Sequence, residues 1–274
     1  MKQENHISFC TDKNYAAYTG VALTSIILNN PDKPLDFHIL YSTLDEADRE
    51  KYLSLPRHYD NVTMKLYDLS GEKRTSSYKT TNRYPKTVYL RWYIPDIVDS
   101  SIKCILYMDG DVLCLGNLKK LLDFDFILQS KYPLAAVGKT QSPAEISRLK
   151  LTQDRTINAG VLLLNLLEWR NHNLGSKLFH FTEQHNEELL WLDNDVLNRV
   201  LDGNFYMLEE KWNHRLYLHK MPNYSILPED IIVHYSGPMK PWHENCRNKN
   251  KEIWWSYAKK SLWSDLNPVR LETG

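Results

Sequence analysis

The sequence lacks a net charge, since its 274 residues hold 34 lysines and arginines against 34 aspartates and glutamates. Without a broad excess of positive charge, non-specific binding to duplex nucleic acid has no electrostatic basis. The sequence also lacks an apolar run of the roughly 20 residues that a membrane-spanning helix needs. We therefore expect neither a nucleic-acid partner nor a transmembrane segment.

Cysteine is scarce, and its spacing argues against a metal or redox role. None of the cysteines forms a Cys-x-x-Cys pair, the pattern typical of zinc sites and of thiol redox motifs; the four are Cys10, Cys104, Cys114 and Cys246. The N-terminus has no hydrophobic stretch of the kind found in signal peptides. These features predict a cytoplasmic protein with reduced thiols.

The composition that is present is globular, with 42% hydrophobic and 25% charged residues, which argues against disorder. Segments of strand and helix periodicity alternate, which predicts an α/β fold with a mostly parallel sheet. Strands are expected over residues 7–10, 35–41, 62–66, 103–108, 134–137, 160–164 and 231–233, and helices over 15–29, 45–53, 85–93 and 195–201. A polar stretch over 70–83 is interpreted as a mobile loop.

Two carboxylates follow one of the buried strands. Asp109 and Asp111 are separated by Gly110, and residues i and i+2 of an extended backbone point to the same side. The pair could therefore bind one hard cation, while the glycine lets a phosphate approach the backbone. The alternative is that Asp-Gly only forms a tight turn between two strands.

A histidine follows another apolar strand, the predicted 231–233. His234 stands at its carboxyl end, and ligands of open α/β sheets bind at such ends. An imidazole beside two carboxylates suits Mn²⁺ better than Mg²⁺. Lys240 could contact a phosphate after a turn shaped by Gly237. The alternative is a structural histidine followed by a proline-rich turn.

Four ordered blocks carry a resemblance that covers nearly the whole chain: residues 9–15, 107–111, 158–165 and 234–242. On these blocks the sequence resembles the family 8 glycosyltransferases, the retaining group that includes glycogenin and bacterial lipopolysaccharide galactosyl- and glucosyltransferases. The resemblance implies a GT-A type nucleotide-sugar-binding fold, with a mostly parallel central sheet flanked by helices. It also implies a UDP-sugar donor held through Mn²⁺, with Mg²⁺ as the alternative ion.

The resemblance also implies roles for particular residues. The metal ligands would be Asp109, Asp111 and His234. The diphosphate would be bound by Lys240 and the backbone of Gly237, and the donor set includes Met108 and Gly110 of the carboxylate block. Uridine recognition falls to the first block, namely Thr11, Asp12, Asn14 and Tyr15, although Asp12 or Asn14 could instead only cap the following helix. Arg91 resembles the family's donor-contacting arginine, the alternative being a solvated helix face.

The reacting sugar is assigned to two further segments. Asn158 and Ala159 resemble a block that touches the donor sugar hydroxyls. Asp193 and Asn194 are the candidate catalytic residues, although either could instead cap the helix that follows. Asn194 stands where relatives carry a glutamine, and because asparagine is shorter and a poor nucleophile, we expect front-face transfer rather than a covalent intermediate.

Taken together, the resemblance implies transfer of glucose or galactose from UDP to a saccharide or glycolipid acceptor, with residues 140–156 and the loop 70–83 flanking the acceptor cleft. Lys139 stands where relatives carry an aspartate, so the acceptor preference does not transfer. The alternatives are a glycogenin-like self-glucosylating enzyme, a non-catalytic nucleotide-sugar-binding protein and a metal-dependent phosphohydrolase. The oligomeric state stays open.

One domain with a trailing C-terminal segment is expected. Residues 1–242 form the glycosyltransferase domain, and 243–274 form a basic and aromatic C-terminal segment. This segment either packs its tryptophans on the domain or contacts anionic lipid at the inner face of the membrane.

Overall fold

The structure is a computed structural model, and it describes residues 5–81, 84–220 and 226–270. The parts of the predicted domain and its C-terminal segment at 1–4, 221–225 and 271–274, and of the predicted loop at 82–83, lie outside the described residues. The strands are β1 (Asn5–Thr11), β2 (Leu35–Tyr41), β3 (Val62–Asp68), β4 (Cys104–Met108), β5 (Val112–Cys114), β6 (Leu134–Thr140), β7 (Arg155–Asn165), β8 (Tyr206–Leu208), β9 (His214–Arg215) and β10 (Ile232–His234). The α-helices are α1 (Ala16–Asn29), α2 (Glu46–His58), α3 (Ile94–Ile97), α4 (Asp125–Gln129), α5 (Pro143–Leu149), α6 (Leu166–Asn171), α7 (Leu174–His185), α8 (Leu192–Leu201) and α9 (Lys251–Ala258).

Seven strands form the central sheet, in the order β3-β2-β1-β4-β7-β6-β8. Strand β7 runs antiparallel to both of its neighbours, β4 and β6, and the other pairings are parallel. Helices cover both faces of the sheet, each over its own group of buried apolar side chains. The expected α/β class with a mostly parallel sheet is confirmed.

Helix α1 is buried on nearly every side, because it packs between the central sheet on one side and β5 and α9 on the other. Residues 19–27 are all buried, and an apolar sequence all round is what such a position requires. Two hydroxyls inside the helix donate to its own carbonyls, Thr24 to Gly20 at 2.8 Å and Ser25 to Ala22 at 2.5 Å.

The strand order places the candidate motifs together. Strands β1 and β4 are parallel neighbours, with Phe9 opposite Met108, so the first block and the carboxylate pair leave the sheet at the same edge. A second sheet, in the order β5-β10-β9, lies beside that edge. Strand β10 is antiparallel to β5, with His234 opposite Val112. This pairing sets His234 next to Asp111.

Two expectations about the segment before β4 need correction. The predicted helix over 85–93 is a 3-10 helix over Lys86–Tyr93 that leads into α3. The described part of the stretch 70–83 is packed rather than a free loop, since Thr75 and Tyr78 are buried and the Tyr78 hydroxyl donates to Glu183 at 3.1 Å. Polar composition suggested mobility, but two side chains of the stretch are buried against α7.

The tryptophans of the C-terminal segment pack on the domain. Trp254 and Trp263 are fully buried, and Trp263 tilts against Tyr52 of α2 with ring centroids 5.0 Å apart. The basic side chains of the segment are exposed, including Arg247, Lys249, Lys259 and Lys260. Among the described residues, no helix has the length and the apolar character needed to cross a bilayer.

Candidate active site

Three metal-ligand side chains converge at the edge where β4 ends. One ligand atom each from Asp109, Asp111 and His234 lies within 4.8 Å of the others. Their side chains are 26%, 13% and 6% exposed, so the cluster is mostly enclosed but open on the Asp109 side. The backbone fixes the approach of β10, because the Tyr235 amide donates to the Asp111 carbonyl at 3.0 Å.

The three side chains of the cluster could hold a metal ion, and the ammonium group of Lys240 lies beside them. The Lys240 ammonium donates to Asp111 Oδ2 at 2.5 Å and to the Tyr235 carbonyl at 2.7 Å. Burial opposes the ionisation of Asp111, but the nearby Lys240 and His234 outweigh it and hold the pKa of this carboxyl well below its ordinary value. Two carboxylates and an imidazole nitrogen fit Mn²⁺, whose ligand preferences include both.

Arg91 is buried, at 4% exposure, so the alternative of a solvated helix face is wrong. Its guanidinium donates to Asp109 Oδ1 at 3.0 Å and to the Ala159 carbonyl at 2.6 Å, and its Nε lies 3.3 Å from Asp193 Oδ2. Arg91 therefore joins a metal ligand to the candidate sugar-binding carboxylate. A contact with the donor itself stays a prediction.

Tyr107 was missed as a site residue, although it stands two positions before Asp109 on the same side of β4. Its hydroxyl donates to Asp109 Oδ1 at 2.6 Å, and the Arg91 guanidinium stacks 4.4 Å above its ring. Together these two groups occupy Oδ1 of Asp109. The alternation rule that paired the carboxylates would also have pointed to Tyr107.

Of the residues predicted to bind uridine in the first block, one lines a cavity and the others do not. Asp12 Oδ1 accepts from the backbone amides of Asn14 and Tyr15 at 2.9 and 3.1 Å, within the turn that leads into α1. The N-cap residue of α1 is Tyr15, so neither Asp12 nor Asn14 occupies that position. The Thr11 hydroxyl contacts that of Thr19 at 3.2 Å, and Asn14 is exposed. Of the four predicted uridine contacts, only Tyr15 lines the cavity described below. Its ring also meets Trp242 edge-on, with centroids 5.7 Å apart.

The predicted glycine contacts both line the same cavity, whereas Met108 lies in the core. Gly237 has φ +97°, a conformation that favours glycine, and it opens the turn that leads to Lys240. Gly110 borders the metal cluster between its two carboxylates. Met108 is fully buried in the sheet and does not line the cavity, so the structure gives no support to its predicted donor contact.

The candidate sugar-binding residues lie on facing elements, strand β7 and helix α8. Asn194 Oδ1 accepts from the Ala159 amide at 2.9 Å, and Asn158 Oδ1 accepts from the Gly160 amide at 3.2 Å. The helix begins at Leu192, so Asp193 and Asn194 stand in its first turn. The N-cap residue is Trp191, so neither Asp193 nor Asn194 occupies the N-cap position of this helix.

Asp193 has an unusual environment for a carboxyl group. Burial raises its pKa to about 7, Arg91 acts in the opposite direction, and the charge of Asp109 adds to the rise. A carboxyl that changes charge near neutral pH in a cavity is typical of functional sites.

One cavity of about 480 Å³ joins these elements, a size within the range of small-molecule sites. Most predicted site residues line it, namely Tyr15, Arg91, Asp109, Gly110, Asp111, Asn158, Ala159, Asp193, Asn194, His234, Gly237 and Lys240. Thr11, Asp12, Asn14 and Met108 do not appear in its wall. The cavity therefore brings residues of all four sequence blocks together with Arg91 and α8.

The far part of the cavity contains residues that no motif pointed to. They include Tyr84, Trp191, Tyr217 and His219, and Trp191 is 42% exposed. Lys139 and several residues of the stretch 140–156 line the wall, as expected for an acceptor cleft, but the described residues of 70–81 do not. Aromatic residues in loops carry no local pattern that would mark them as site residues.

Comparison with known proteins points to one family. The family model described as "Glycosyl transferase family 8" matches residues 6–246. The chain is 27% identical to the lipopolysaccharide 1,3-galactosyltransferase of Salmonella typhimurium, over 96% of this chain and 81% of that protein. It is 26% identical to a lipopolysaccharide 1,2-glucosyltransferase of Escherichia coli, over 96% of this chain and 80% of that protein.

A solved structure has the same fold. The crystal structure of the galactosyltransferase LgtC in complex with donor and acceptor sugar analogs superposes with a TM-score of 0.80. The two chains are 25% identical, and the match covers 94% of this chain and 96% of that one. The similarity therefore extends over nearly the whole chain.

Proposed function

We propose that this chain, which belongs to glycosyl transferase family 8 and is a hexosyltransferase, moves glucose or galactose from UDP to a saccharide or glycolipid acceptor. The transfer would retain the α configuration and would depend on Mn²⁺. The observation that carries the proposal is the cluster of Asp109, Asp111 and His234 in the wall of one cavity. The same wall holds the other residues predicted to bind a nucleotide sugar, among them Arg91, Asn158, Asp193 and Lys240. The names of the relatives support the choice of hexose and a lipopolysaccharide-like acceptor.

The metal cluster would hold the donor by its diphosphate. Bound Mn²⁺ would supply Lewis-acid neutralisation of the charge that develops on the leaving UDP. The Lys240 ammonium donates to Asp111. When a donor is bound, the side chain would turn towards the diphosphate and donate a charge-assisted hydrogen bond to a phosphate oxygen. Tyr15, which lines the cavity beside Gly110, presents an aromatic ring for uracil.

The donor sugar would lie between β7 and α8. Asp193 in its carboxylate form accepts hydrogen bonds from sugar hydroxyls, and Asn158 supplies amide donors from the facing strand. Asn194 supports front-face transfer, because its carbonyl oxygen is already engaged by the Ala159 amide and an amide is a poor nucleophile. In this mechanism the acceptor hydroxyl attacks on the face that UDP leaves, and a phosphate oxygen takes its proton.

The acceptor would enter beyond the donor sugar, along the wall formed by Lys139, by Gln141 and Glu145, and by Trp191. Trp191 both lines the cavity and is 42% exposed. An exposed aromatic ring suits the apolar face of a sugar, with its polar edges left to neighbouring side chains. The basic surface of the C-terminal segment is compatible with a glycolipid acceptor held at an anionic membrane.

A panel of nucleotide sugars tests the proposal. UDP-glucose, UDP-galactose, GDP-mannose and TDP-glucose are added with and without Mn²⁺, first in thermal unfolding and then in hydrolysis assays. We expect a UDP-hexose with Mn²⁺ to stabilise the chain, by about 2.7 kcal/mol at a concentration of 100 Kd, and to be hydrolysed slowly to UDP and free hexose. Because free hexose interconverts between its anomers in water, the configuration is read by NMR on the glycoside formed when a saccharide acceptor is added, and we expect an α linkage there.

Other outcomes would contradict parts of the proposal. UDP binding without any turnover would indicate a non-catalytic binding protein. Mass increments of one hexose on the chain itself would indicate a self-glucosylating enzyme. Release of inorganic phosphate without free UDP would indicate a phosphohydrolase, and a β-configured product would exclude retention.

A further inference from the structure

His234 is tied to strand β7 through two side-chain amides. Its Nδ1 lies 3.0 Å from Oδ1 of Asn213, and Nδ2 of Asn213 donates to Oδ1 of Asn158 at 2.9 Å. The same Asn158 oxygen accepts from the backbone amide of Gly160 at 3.2 Å. Asn213 stands between the 3-10 helix Glu210–Trp212 and β9, and it is fully buried.

The direction of this chain of hydrogen bonds follows from its backbone end. The Gly160 N–H can only donate, so the Asn158 atom that faces it is the carbonyl oxygen. Asn213 must then present its NH₂ group to that oxygen and its own carbonyl oxygen to His234. An oxygen can only accept, so Nδ1 of His234 carries a proton.

A proton fixed at Nδ1 leaves Nε2 as the nitrogen available to a metal. Nε2 is the atom that faces the cluster, 3.2 Å from Oδ1 of Asp111. With Nδ1 already protonated, a cation can take the place at Nε2 without any change of tautomer. A partner on the far nitrogen of a metal-binding histidine fixes ring orientation in this way.

Gly160 contributes twice to the same arrangement. It supplies the amide that sets the direction, and it leaves the space that the imidazole occupies, because a Cβ at this position would collide with Cε1 and Nδ1 of His234. Both the ring and the hydrogen-bond chain therefore depend on the backbone of β7.

We infer that Asn213 is a positioning residue, which holds His234 in the Nδ1-protonated form and joins this metal ligand to Asn158 in the donor-sugar wall. Asn213 does not itself line the cavity; it reaches the cluster through His234 and the cavity wall through Asn158. The inference rests on the proposed function for the identity of the ion, but the tautomer itself is a property of the metal-free chain.

The first measurement is ¹⁵N NMR of histidine-labelled, metal-free protein, with His234 assigned by its absence in His234→Gln. We expect a proton on Nδ1, whether or not Nε2 also carries one. A ring protonated at Nε2 alone would overturn the inference, even if the wild-type chain binds Mn²⁺ and turns over UDP-hexose.

The second measurement is Mn²⁺ affinity without nucleotide, from the EPR signal of the free ion, in two variants of similar size. Asn213→Asp keeps an acceptor for Nδ1, so we expect it to retain the Nδ1 proton and Mn²⁺ affinity within a few-fold of wild type. Asn213→Leu removes the acceptor, and we expect affinity to fall about 10- to 100-fold.

A matched control separates positioning from folding. Asn165→Leu removes a buried asparagine at the opposite end of β7, whose Nδ2 donates to two carbonyls, and it should lower stability without changing Mn²⁺ affinity. If the Asp variant loses affinity as fully as the Leu variant, Asn213 is merely structural and the inference is wrong. If wild type itself binds no Mn²⁺, the proposed metal fails while the NMR result still decides the tautomer.

Discussion

The Lys240 ammonium can pair with a carboxylate of its own chain or, on the proposed function, with the phosphates of a donor. In the structure its ammonium lies on Asp111 at 2.5 Å, at the position where a divalent cation would be held. A buried charge that loses its partner is strongly unfavourable. On the proposed function, we expect the binding of metal and donor to be coupled to a movement of the Lys240 ammonium from the carboxylate to the diphosphate.

The substitution Lys240→Met separates these two roles. In EDTA we expect a loss of about 3 kcal/mol in the free energy of unfolding, because the buried Asp111 carboxylate loses its ammonium partner and keeps only His234. Added Mn²⁺ should stabilise the variant more than wild type, since no internal cation competes, while UDP affinity should fall by about 10- to 100-fold with the lost charged hydrogen bond.

Thermal unfolding in EDTA and in Mn²⁺, together with UDP titration calorimetry, checks this. Lys251→Met is the matched control, because Lys251 donates to the Cys246 carbonyl and has no carboxylate partner in the cluster. Equal stability of Lys240→Met and wild type in EDTA would contradict the assigned ion pair.

Asn194 decides between the two retaining mechanisms. Its carbonyl oxygen holds the Ala159 amide, so Asn194→Ala removes one hydrogen bond and should slow UDP-hexose hydrolysis by about tenfold. Turnover should remain measurable, and intact-protein mass spectrometry during turnover should find no added hexose. A covalent glycosyl adduct on the wild-type chain would rule out front-face transfer.

At the scale of elements, strand ends were predictable and strand partners were not. The apolar runs before Asp109 and His234 located β4 and β10 from periodicity alone. Nothing local in either run shows that β10 pairs with β5, or that β7 runs antiparallel between β4 and β6. Such pairings are decided by packing between distant segments, and they are what bring His234 to Asp111 and Asn213 to His234.

Arg91 illustrates the same limit. Its segment has the composition of a helix with one polar face, and a solvated arginine was a reasonable alternative. In the fold, the 3-10 helix that carries it is covered by β1 and α7, so the guanidinium is enclosed with Asp109 and Asp193. Burial of a charge depends on partners that lie 18 and 102 positions away in the sequence.

Strands β1, β2 and β3 also carry a polar row that affects stability. His38 contacts His6 at 3.1 Å and the Tyr67 hydroxyl at 2.9 Å. Burial lowers the pKa of His38 from 6.5 to about 3, with the charges of His6 and Lys65 acting in the same direction. In the folded chain this histidine therefore stays neutral over a range in which the unfolded chain binds a proton.

The sign of the effect follows from that difference. Above about pH 6.5, His38 is neutral in both the folded and the unfolded chain and contributes no pH dependence. Between about pH 6.5 and 3, the unfolded chain binds one more proton than the folded chain. The free energy of unfolding therefore falls as the pH falls, by at most about 1.4 kcal/mol per pH unit. We expect His38→Gln to remove this component in urea unfolding between pH 7 and 4. His172→Gln, at an exposed site, should leave the slope unchanged, and an unchanged slope in His38→Gln would contradict the assignment.

At the scale of the whole molecule, the net charge is zero, but the charged side chains are unevenly distributed. The cavity gathers Asp109, Asp111 and Asp193 with Arg91 and Lys240. The C-terminal segment exposes most of its lysines and arginines and buries Trp254 and Trp263. The sequence motifs predicted the fold class and most of the cavity wall, because a nucleotide-sugar site uses short segments at strand ends. The stretch 140–156 was correctly expected at the cavity, but Trp191 and Tyr217 were not predictable, since they reach the cavity from loops without a motif.

The measurement that tests the central claim most directly is the initial rate of UDP release from the preferred UDP-hexose, for wild type and for Asp111→Asn, across a titration of Mn²⁺. Asparagine keeps the size of the side chain and removes its charge. We predict that metal-stripped wild type is inactive and regains activity with Mn²⁺, and that Asp111→Asn is at least about a hundredfold slower at saturating metal. Full activity of wild type in EDTA, or of Asp111→Asn in Mn²⁺, would contradict the account.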